Sequence, residues 1–366
     1  MAPGLEFALI PSDGAFTPAI AVDFTPASST FVEEFSSLIA ELIRPAPGSN
    51  RRVLVILVAV VGYSCRRPGA RLLVTAGGER LGSISGGCLE EDVLFRAHRV
   101  AATGQAELVT YDTSPENDLV WGVGLGCHGV VKVLLEPISS SPAAWVSTVS
   151  ANLAARRPTP LAVIWHNPDA PAVLGTYLTA DLPALAPAAV VFRETLAPPP
   201  SLLIFGAGDD AQPLARLAAQ LGWHVTVADP RAAFTTAARF PAARLVVAPA
   251  AELAARVAPE PGALAVVMTH HYVHDVPLLR ALLTLDLAYL GLLGPRQRAE
   301  RILADLARDG FSSSRAQLAR LHAPVGLDLG GDHPAAVALS ILAEMQAALA
   351  GRDARPLRDR TAPIHA

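Results

Sequence analysis

Leu202-Leu203-Ile204-Phe205-Gly206-Ala207-Gly208-Asp209-Asp210-Ala211 is the stretch that decides the fold of the second half of this chain. A short apolar run reads as a buried strand, a glycine-rich turn follows at once, and a helical pattern runs from about Ala211 to Leu221. A dinucleotide-type fold puts its first turn here. Gly206 makes the bend, Gly208 lets backbone approach a pyrophosphate, and Ala211 is small enough to pack against the strand. Asp229 lies about 20 residues further on, at the end of the next strand (His224 to Ala228), where an acid accepts from a ribose hydroxyl. Strand, glycine turn, helix and distal acid together specify the fold. They do not by themselves specify a bound dinucleotide, because Asp209 and Asp210 bring negative charge to the phosphate position.

Strands and helices keep alternating beyond this motif, the signature of a doubly wound parallel sheet. Further strands are expected at Leu245 to Val247, Leu264 to Thr269 and Ala288 to Leu292. Helices are expected at about Ala250 to Val257, Val276 to Leu283, Pro295 to Arg308 and Pro334 to Leu349. Ligands of such sheets bind outside the carboxyl ends of the strands. Two segments fall there: Thr269-His270-His271 with His274-Asp275, and Gly291-Leu292-Leu293-Gly294-Pro295-Arg296. In the second, Pro295 is read as the first helical residue and Arg296 as a contact for an anion. His270 and His274 have the spacing of a helical metal pair, but no third ligand accompanies them; a polar loop capping the next helix is the alternative.

Upstream, Thr30-x-x-Glu33 is a capping box, and Phe31, Phe35, Leu38, Ile39 and Leu42 share one helical face. Val53 to Val61 reads as a strand buried on both faces. Arg71 to Thr75 and Arg80 to Ile84 form a hairpin around Gly77-Gly78. Ser85-Gly86-Gly87-Cys88 then opens a helix from about Leu89 to Thr103, with Glu90, Glu91 and Asp92 in its first turn and Gly104 closing it. Strands are expected at Glu107 to Tyr111 and Val130 to Leu135, joined by a loop ending in Gly124-Leu125-Gly126-Cys127-His128-Gly129. Eleven of the 31 prolines fall within residues 137–200, which argues against long helices there, although Leu161 to Trp165 and Ala189 to Phe192 read as short strands. Pro198-Pro199-Pro200 is the expected boundary. The expected organisation is a leader (1–28), an α+β domain (29–197), a Rossmann-like domain (201–350) and a tail (351–366).

Three cysteines are too few for a disulfide framework. Cys88 stands at a helix N-terminus, where free amides favour a thiolate, and Gly86 and Gly87 let amides approach a bulky anion. Cys127 has Gly126 before it and His128 after it. Each cysteine is equally readable as filler of a tight turn. Arg66, Arg67 and Arg71 near the hairpin are candidate anion contacts or solvated surface charges.

Composition bounds the rest. Half the residues (51%) are apolar and 17% are charged, enough to build cores in two or three domains at roughly 150 residues each. A net charge of −4 argues against a nucleic-acid partner. The longest clean apolar run, Val53 to Val61, is under half the ~20 residues a membrane helix needs. With no basic residue before Arg44 the start lacks the pattern of a secretory signal, so a cytoplasmic protein is expected. Lys132, the single lysine, follows Val131, so there is no GxxxxGK[ST] phosphate loop.

Several motifs, in order, resemble the xanthine dehydrogenase accessory proteins, the XdhC/CoxI family. They are Arg67-Pro68-Gly69-Ala70-Arg71, Gly82-Ser83-Ile84-Ser85-Gly86-Gly87-Cys88-Leu89-Glu90, Gly124-Leu125-Gly126-Cys127, Ile204-Phe205-Gly206-Ala207-Gly208, Thr269-His270, Gly291-Leu292-Leu293-Gly294 and Leu321-His322-Ala323-Pro324-Val325-Gly326-Leu327-Asp328. The resemblance implies an XdhC/CoxI-type domain followed by a Rossmann-like one. It also implies a chaperone for molybdenum cofactor (molybdopterin or its dinucleotide form) rather than a turnover enzyme. Such a protein protects the cofactor during sulfuration by a cysteine desulfurase and delivers it to a xanthine dehydrogenase-like molybdenum hydroxylase; a homodimer is expected. Cofactor contacts carried over or read from the motifs are Arg67, Gly86, Gly87, Cys88, Gly126, Cys127, Gly206, Gly208, Ala211, Asp229, Thr269, His270, Gly294 and Arg296, with Cys88 and Cys127 facing molybdenum. The alternative is an NAD(P)-dependent oxidoreductase built on Gly206, Gly208, Ala211 and Asp229. The chain departs from the family pattern at Asp209, His128 and His271.

Overall fold

The apolar run at Val53 forms the central strand of the first unit. The computed structural model describes residues 22–24, 31–45, 51–62, 64–112, 129–139 and 141–361. The chain forms two compact units: most of the residues up to Pro198 make the first, and those from Pro199 onward belong to the second.

In unit 1 the elements are β1 (Val22–Phe24), α1 (Phe31–Ile43), β2 (Arg52–Gly62), β3 (Arg71–Val74), β4 (Arg80–Gly82), α2 (Glu90–Thr103), β5 (Glu107–Asp112), β6 (Gly129–Ile138), α3 (Ala144–Ala154), β7 (Thr159–His166), β8 (Gly175–Leu178) and β9 (Val190–Leu196). Strands β4-β3-β2-β6-β5 make an antiparallel sheet, and β1-β9-β7-β8 make a second one in which only the β1–β9 pair is parallel. β2 is buried from Arg52 through Val58 because both its faces are covered. Leu54, Ile56 and Val58 join one core with Phe35, Leu38 and Leu42 of α1, Val146 and Val149 of α3, and Leu161, Val163 and Phe192 of the second sheet. α2 packs against β2 and β6.

Two polar links bind the sheets through this core. Arg71 on β3 donates to Glu194 on β9 and, at 2.8 Å, to Gly69 O, while its guanidinium lies 4.9 Å from the Phe35 ring centre. Both partners are buried, so Arg71 is structural, which corrects its reading as an anion contact. Glu136 on β6 accepts from Thr176 of β8, from the amide at 3.0 Å and the hydroxyl at 2.6 Å.

Unit 2 contains β10 (Ser201–Phe205), α4 (Ala211–Gln220), β11 (His224–Ala228), β12 (Arg244–Val246), α5 (Leu253–Val257), β13 (Ala263–Val267), α6 (Tyr272–Leu283), β14 (Leu287–Leu292), α7 (Arg296–Arg308), α8 (Arg315–Ala319), β15 (Leu321–His322) and α9 (Pro334–Leu349). The sheet order β12-β11-β10-β13-β14-β15 with every pair parallel is that of a Rossmann fold. One face packs Leu214 and Ala218 of α4 and Ile341 and Met345 of α9 onto Leu202, Ile204 and Val225. The other packs α5, α6 and α7 onto Leu203, Phe205, Ala265 and Val267. The sheet is therefore doubly wound, as the alternating pattern predicts.

Within the proline-rich residues 137–200 the one α-helix among the described residues is α3, 11 residues long, which fits between Pro142 and Pro158 and buries Trp145, Val146 and Val149. Three local expectations need correction. α6 starts at Tyr272, before the expected Val276, and accommodates Pro277 inside it. Pro295 is the N-cap of α7 and not its first helical residue. β13 ends at Val267, short of Thr269. The capping box at Thr30 falls outside the described residues.

Because Arg71 and Glu194 neutralise each other in a buried setting, removing one strands a charge. Arg71→Met is expected to cost about 3–5 kcal/mol in urea unfolding, and adding Glu194→Met to restore most of it. A double variant no more stable than the single one contradicts this role.

Candidate functional site

The loop before α2 is held by a carboxylate from the helix it precedes. Glu90 is buried, although it sits in the first helical turn where acids usually face water. It accepts from the Ser85 amide at 3.1 Å, the Leu89 amide at 3.2 Å, the Ser83 hydroxyl at 3.2 Å and the Ser85 hydroxyl. Ser85 Oγ in turn accepts from the Gly87 amide at 3.2 Å and the Leu89 amide at 3.3 Å. Burial pushes the Glu90 carboxyl up, but the hydrogen bonds from Ser85, the neighbouring amides and Ser83 outweigh it, so it sits below the ordinary glutamate range. The result is a fixed turn whose outer rim, Gly86, Gly87 and Cys88, is exposed.

Gly87 has φ +110°, a conformation that glycine adopts readily, and nothing lies within 4 Å of where its side chain would be. Cys65, from the turn between β2 and β3, brings its Sγ to 3.9 Å from the position a Gly86 Cβ would take. Arg67, in the same turn, is half-buried. Gly126 and Cys127 lie outside the described residues, so the Cys88–Cys127 pairing falls there too.

In unit 2 the sequence-expected residues Gly206, Gly208, Ala211, Asp229, Thr269 and His270 gather where the strand order reverses, between β10 and β13. Gly206 has φ +128°, and a Cβ there would stand 2.4 Å from Met268 O, so β10 and β13 approach closely only because the residue is glycine. Ala211 is buried at the start of α4. Asp229 is almost wholly buried (1% exposed), and its carboxylate accepts from the Ala207 amide at 2.8 Å and from Arg231 through its amide (2.8 Å), Nε (2.9 Å) and Nη2 (2.8 Å). Burial raises this carboxyl and the Arg231 contacts lower it further than that, leaving it below the ordinary aspartate range. The acid that sequence assigns to a ribose hydroxyl thus fastens the glycine turn to the end of β11.

The phosphate position at the head of α4 carries the protein's own anions. Asp210 Oδ2 lies 2.6 Å from His270 Nε2, and exposed Asp209 accepts from Arg239 Nη2 at 2.9 Å. His270 has φ +60° and precedes α6, so it shares no helical face with His274. No group of three or more metal-binding side chains occurs among the described residues. Thr269 donates to buried Asp275 at 2.5 Å, and Arg298 closes on the same carboxylate at 2.6 Å and 3.0 Å. Gly294 makes room for the Arg298 chain, whose Cδ would lie 2.9 Å from a Cβ there. Arg298 is therefore the arginine of α7 built into this edge, while Arg296 is exposed.

Sequence reading missed Cys65, Ser85, Arg231, Arg239 and Arg298 as parts of these clusters. The two-residue step from Asp229 to Arg231 and the Ser85/Glu90 spacing across the loop are signals that point to two of them. A third cluster, Tyr289, His322 and Glu344, joins β14, β15 and α9: the Tyr289 hydroxyl donates to Glu344, and His322 Nδ1 lies 3.0 Å from it.

Fold and site define a two-unit protein, an α+β unit with an exposed glycine–cysteine rim followed by a Rossmann unit. The chain belongs to the XdhC and CoxI family: that family's model matches residues 48–112 and the XdhC Rossmann domain matches 202–345. It is 34% identical over 80% of its length to a probable xanthine dehydrogenase subunit of Bacillus subtilis, covering 92% of that protein. It is 25% identical over 87% of its length to the molybdenum cofactor insertion chaperone PaoD of Escherichia coli, covering 90% of it. A crystal structure described as a xanthine dehydrogenase from Bacillus halodurans superposes with a TM-score of 0.72 at 27% identity, over 90% of this chain and 98% of that one.

Glu90 gives this site a pH signature. Above the unfolded glutamate value of about 4.3, Glu90→Gln is expected to cost about 1–3 kcal/mol. The depressed native carboxyl stabilises the fold in that range, and the contribution disappears as pH falls through the native value, so the two proteins converge in acid. Denaturant titrations from pH 7 to pH 3 read it; a gap independent of pH contradicts it.

Proposed function

We propose that this protein is a cofactor chaperone that binds molybdenum cofactor as cargo and hands it to a molybdenum hydroxylase of the xanthine dehydrogenase type. The observation that carries the reading is the rim Gly86-Gly87-Cys88. It combines an exposed thiol, a helix N-terminus behind it and bare glycine backbone, all on a turn pinned by Glu90. A molybdenum–dithiolene centre bearing a phosphate asks for those donors: soft sulfur for the metal and unhindered amides for the phosphate. Cys88 would face the metal, with the Gly86 amide and the open space beside Gly87 receiving the phosphate end; the Gly87 amide itself is held by Ser85 Oγ. Arg67 belongs to the proposed site; Gly126 and Cys127, expected in it from the sequence, lie outside the described residues. The role of relatives such as PaoD, as their names state it, supports the same cargo.

In this reading the protein keeps the cofactor from water and oxidants while a cysteine desulfurase supplies sulfur, and it works as a cytoplasmic homodimer. No helix among the described residues is long and apolar enough to cross a membrane.

The geometry of unit 2 weighs against NAD(P) as its ligand. Asp229 is fully engaged by Ala207 and Arg231, and Asp209 and Asp210 stand where a pyrophosphate would bind. Thr269, His270, Gly294 and Arg296 are proposed as a secondary contact edge for the cofactor's nucleotide or for the client.

Purified from cells that make the cofactor, the protein is expected to carry molybdenum by mass spectrometry, and Cys88→Ser to reduce the retained metal at least about tenfold. Equal retention removes Cys88 from the site. Calorimetric titration with NAD, NADH, NADP and NADPH is expected to give no binding heat; saturable heat from any of them revives an oxidoreductase.

A further inference from the structure

Cys65 enters none of the motifs that carry the family likeness, yet the fold brings it to the rim. It sits in the turn leaving β2, and the β3–β4 hairpin returns the chain so that Gly86 passes beside it. The Cys65 Sγ lies 3.9 Å from where a Gly86 side chain would project, so the thiol stands beside the rim at a position that carries no side chain. Both Cys65 and Cys88 are exposed. Gly86 and Cys88 are two residues apart, which limits their Cα separation to about 7 Å. Gly87 between them projects into open space. The near end of the rim is fixed at Ser85 by Glu90, and the far end is fixed by the start of α2.

Two cysteines thus stand at one turn whose rim residues Gly86 and Gly87 carry no side chains. We propose that Cys65 and Cys88 form a dithiol site that chelates a single thiophilic metal or metalloid centre across Gly86. Soft thiolate pairs select such centres over hard oxygen-seeking ions. The identification of molybdenum as the natural occupant rests on the function proposed above; the dithiol itself does not. In that function Cys65 is a second sulfur for the cargo beside Cys88.

Phenylarsine oxide tests the pair directly. It condenses with two thiols: two As–S bonds form, the arsenic oxygen leaves as water with both thiol protons, and no electrons are transferred. With reduced full-length protein followed by intact mass, the Cys127→Ser variant is expected to take up one phenylarsenic group. That group should survive excess glutathione and be released by dithiothreitol. Cys65→Ser, Cys65→Ala and Cys88→Ser, each of which keeps Cys127, are expected to lose the glutathione-resistant adduct. An adduct retained by either Cys65 variant, or lost from Cys127→Ser, overturns the proposal. Molybdenum retention separates the two claims. Chelation without bound molybdenum leaves the dithiol and removes the cargo reading, whereas molybdenum retained unchanged by Cys65→Ser with chelation lost removes Cys65 from the cargo site alone.

Discussion

The site depends on one buried carboxylate. Glu90 lies at a helix start, where its charge is favoured by the dipole, but its main work is to gather the Ser85 and Leu89 amides and the Ser83 and Ser85 hydroxyls into one network. A glycine pair is a poor way to build a stable loop, because it loses more backbone entropy on ordering than other residues do. The network offsets that cost at one end, and the first turn of α2 holds the other. The rim can then present bare glycine backbone and a thiol without collapsing onto the sheet.

Unit 2 uses the same device for a different end. Asp229 ties the Gly206–Gly208 turn to the end of β11, and Asp275 ties Thr269 to Arg298 across the carboxyl ends of β13 and β14. In each cluster the carboxylate is engaged by the protein's own donors, Ala207 and Arg231 in one and Thr269 and Arg298 in the other. The Rossmann architecture thus carries internal polar ties at the carboxyl ends of its strands. That is consistent with a fold whose function lies in grafted sites and not in its topology.

The Rossmann unit was legible in the sequence because its signals are local: an apolar strand, Gly206 and Gly208, a small residue at Ala211, and regular alternation afterwards. The double burial of β2 was legible for the same reason, since β-branched residues run through it without interruption. What was not legible came from side chains that meet across the fold. Arg71 looked like a surface charge until β9 supplied Glu194. Asp229 looked like a ribose acceptor because spacing says nothing of Arg231 folding back on it. α3 was masked by flanking prolines, although only a proline-free interval is required and residues 143–157 provide one. Cys65 had no local signal, because its neighbour Gly86 comes from beyond a hairpin.

The central claim is that the exposed thiol of the rim meets the cargo metal. The X-ray absorption spectrum at the molybdenum edge of cofactor-loaded protein, compared with the Cys88→Ser variant loaded to the same level, tests it most directly. The account predicts a sulfur neighbour beyond the dithiolene pair that disappears with Cys88. Identical molybdenum–sulfur shells in the two proteins would contradict it.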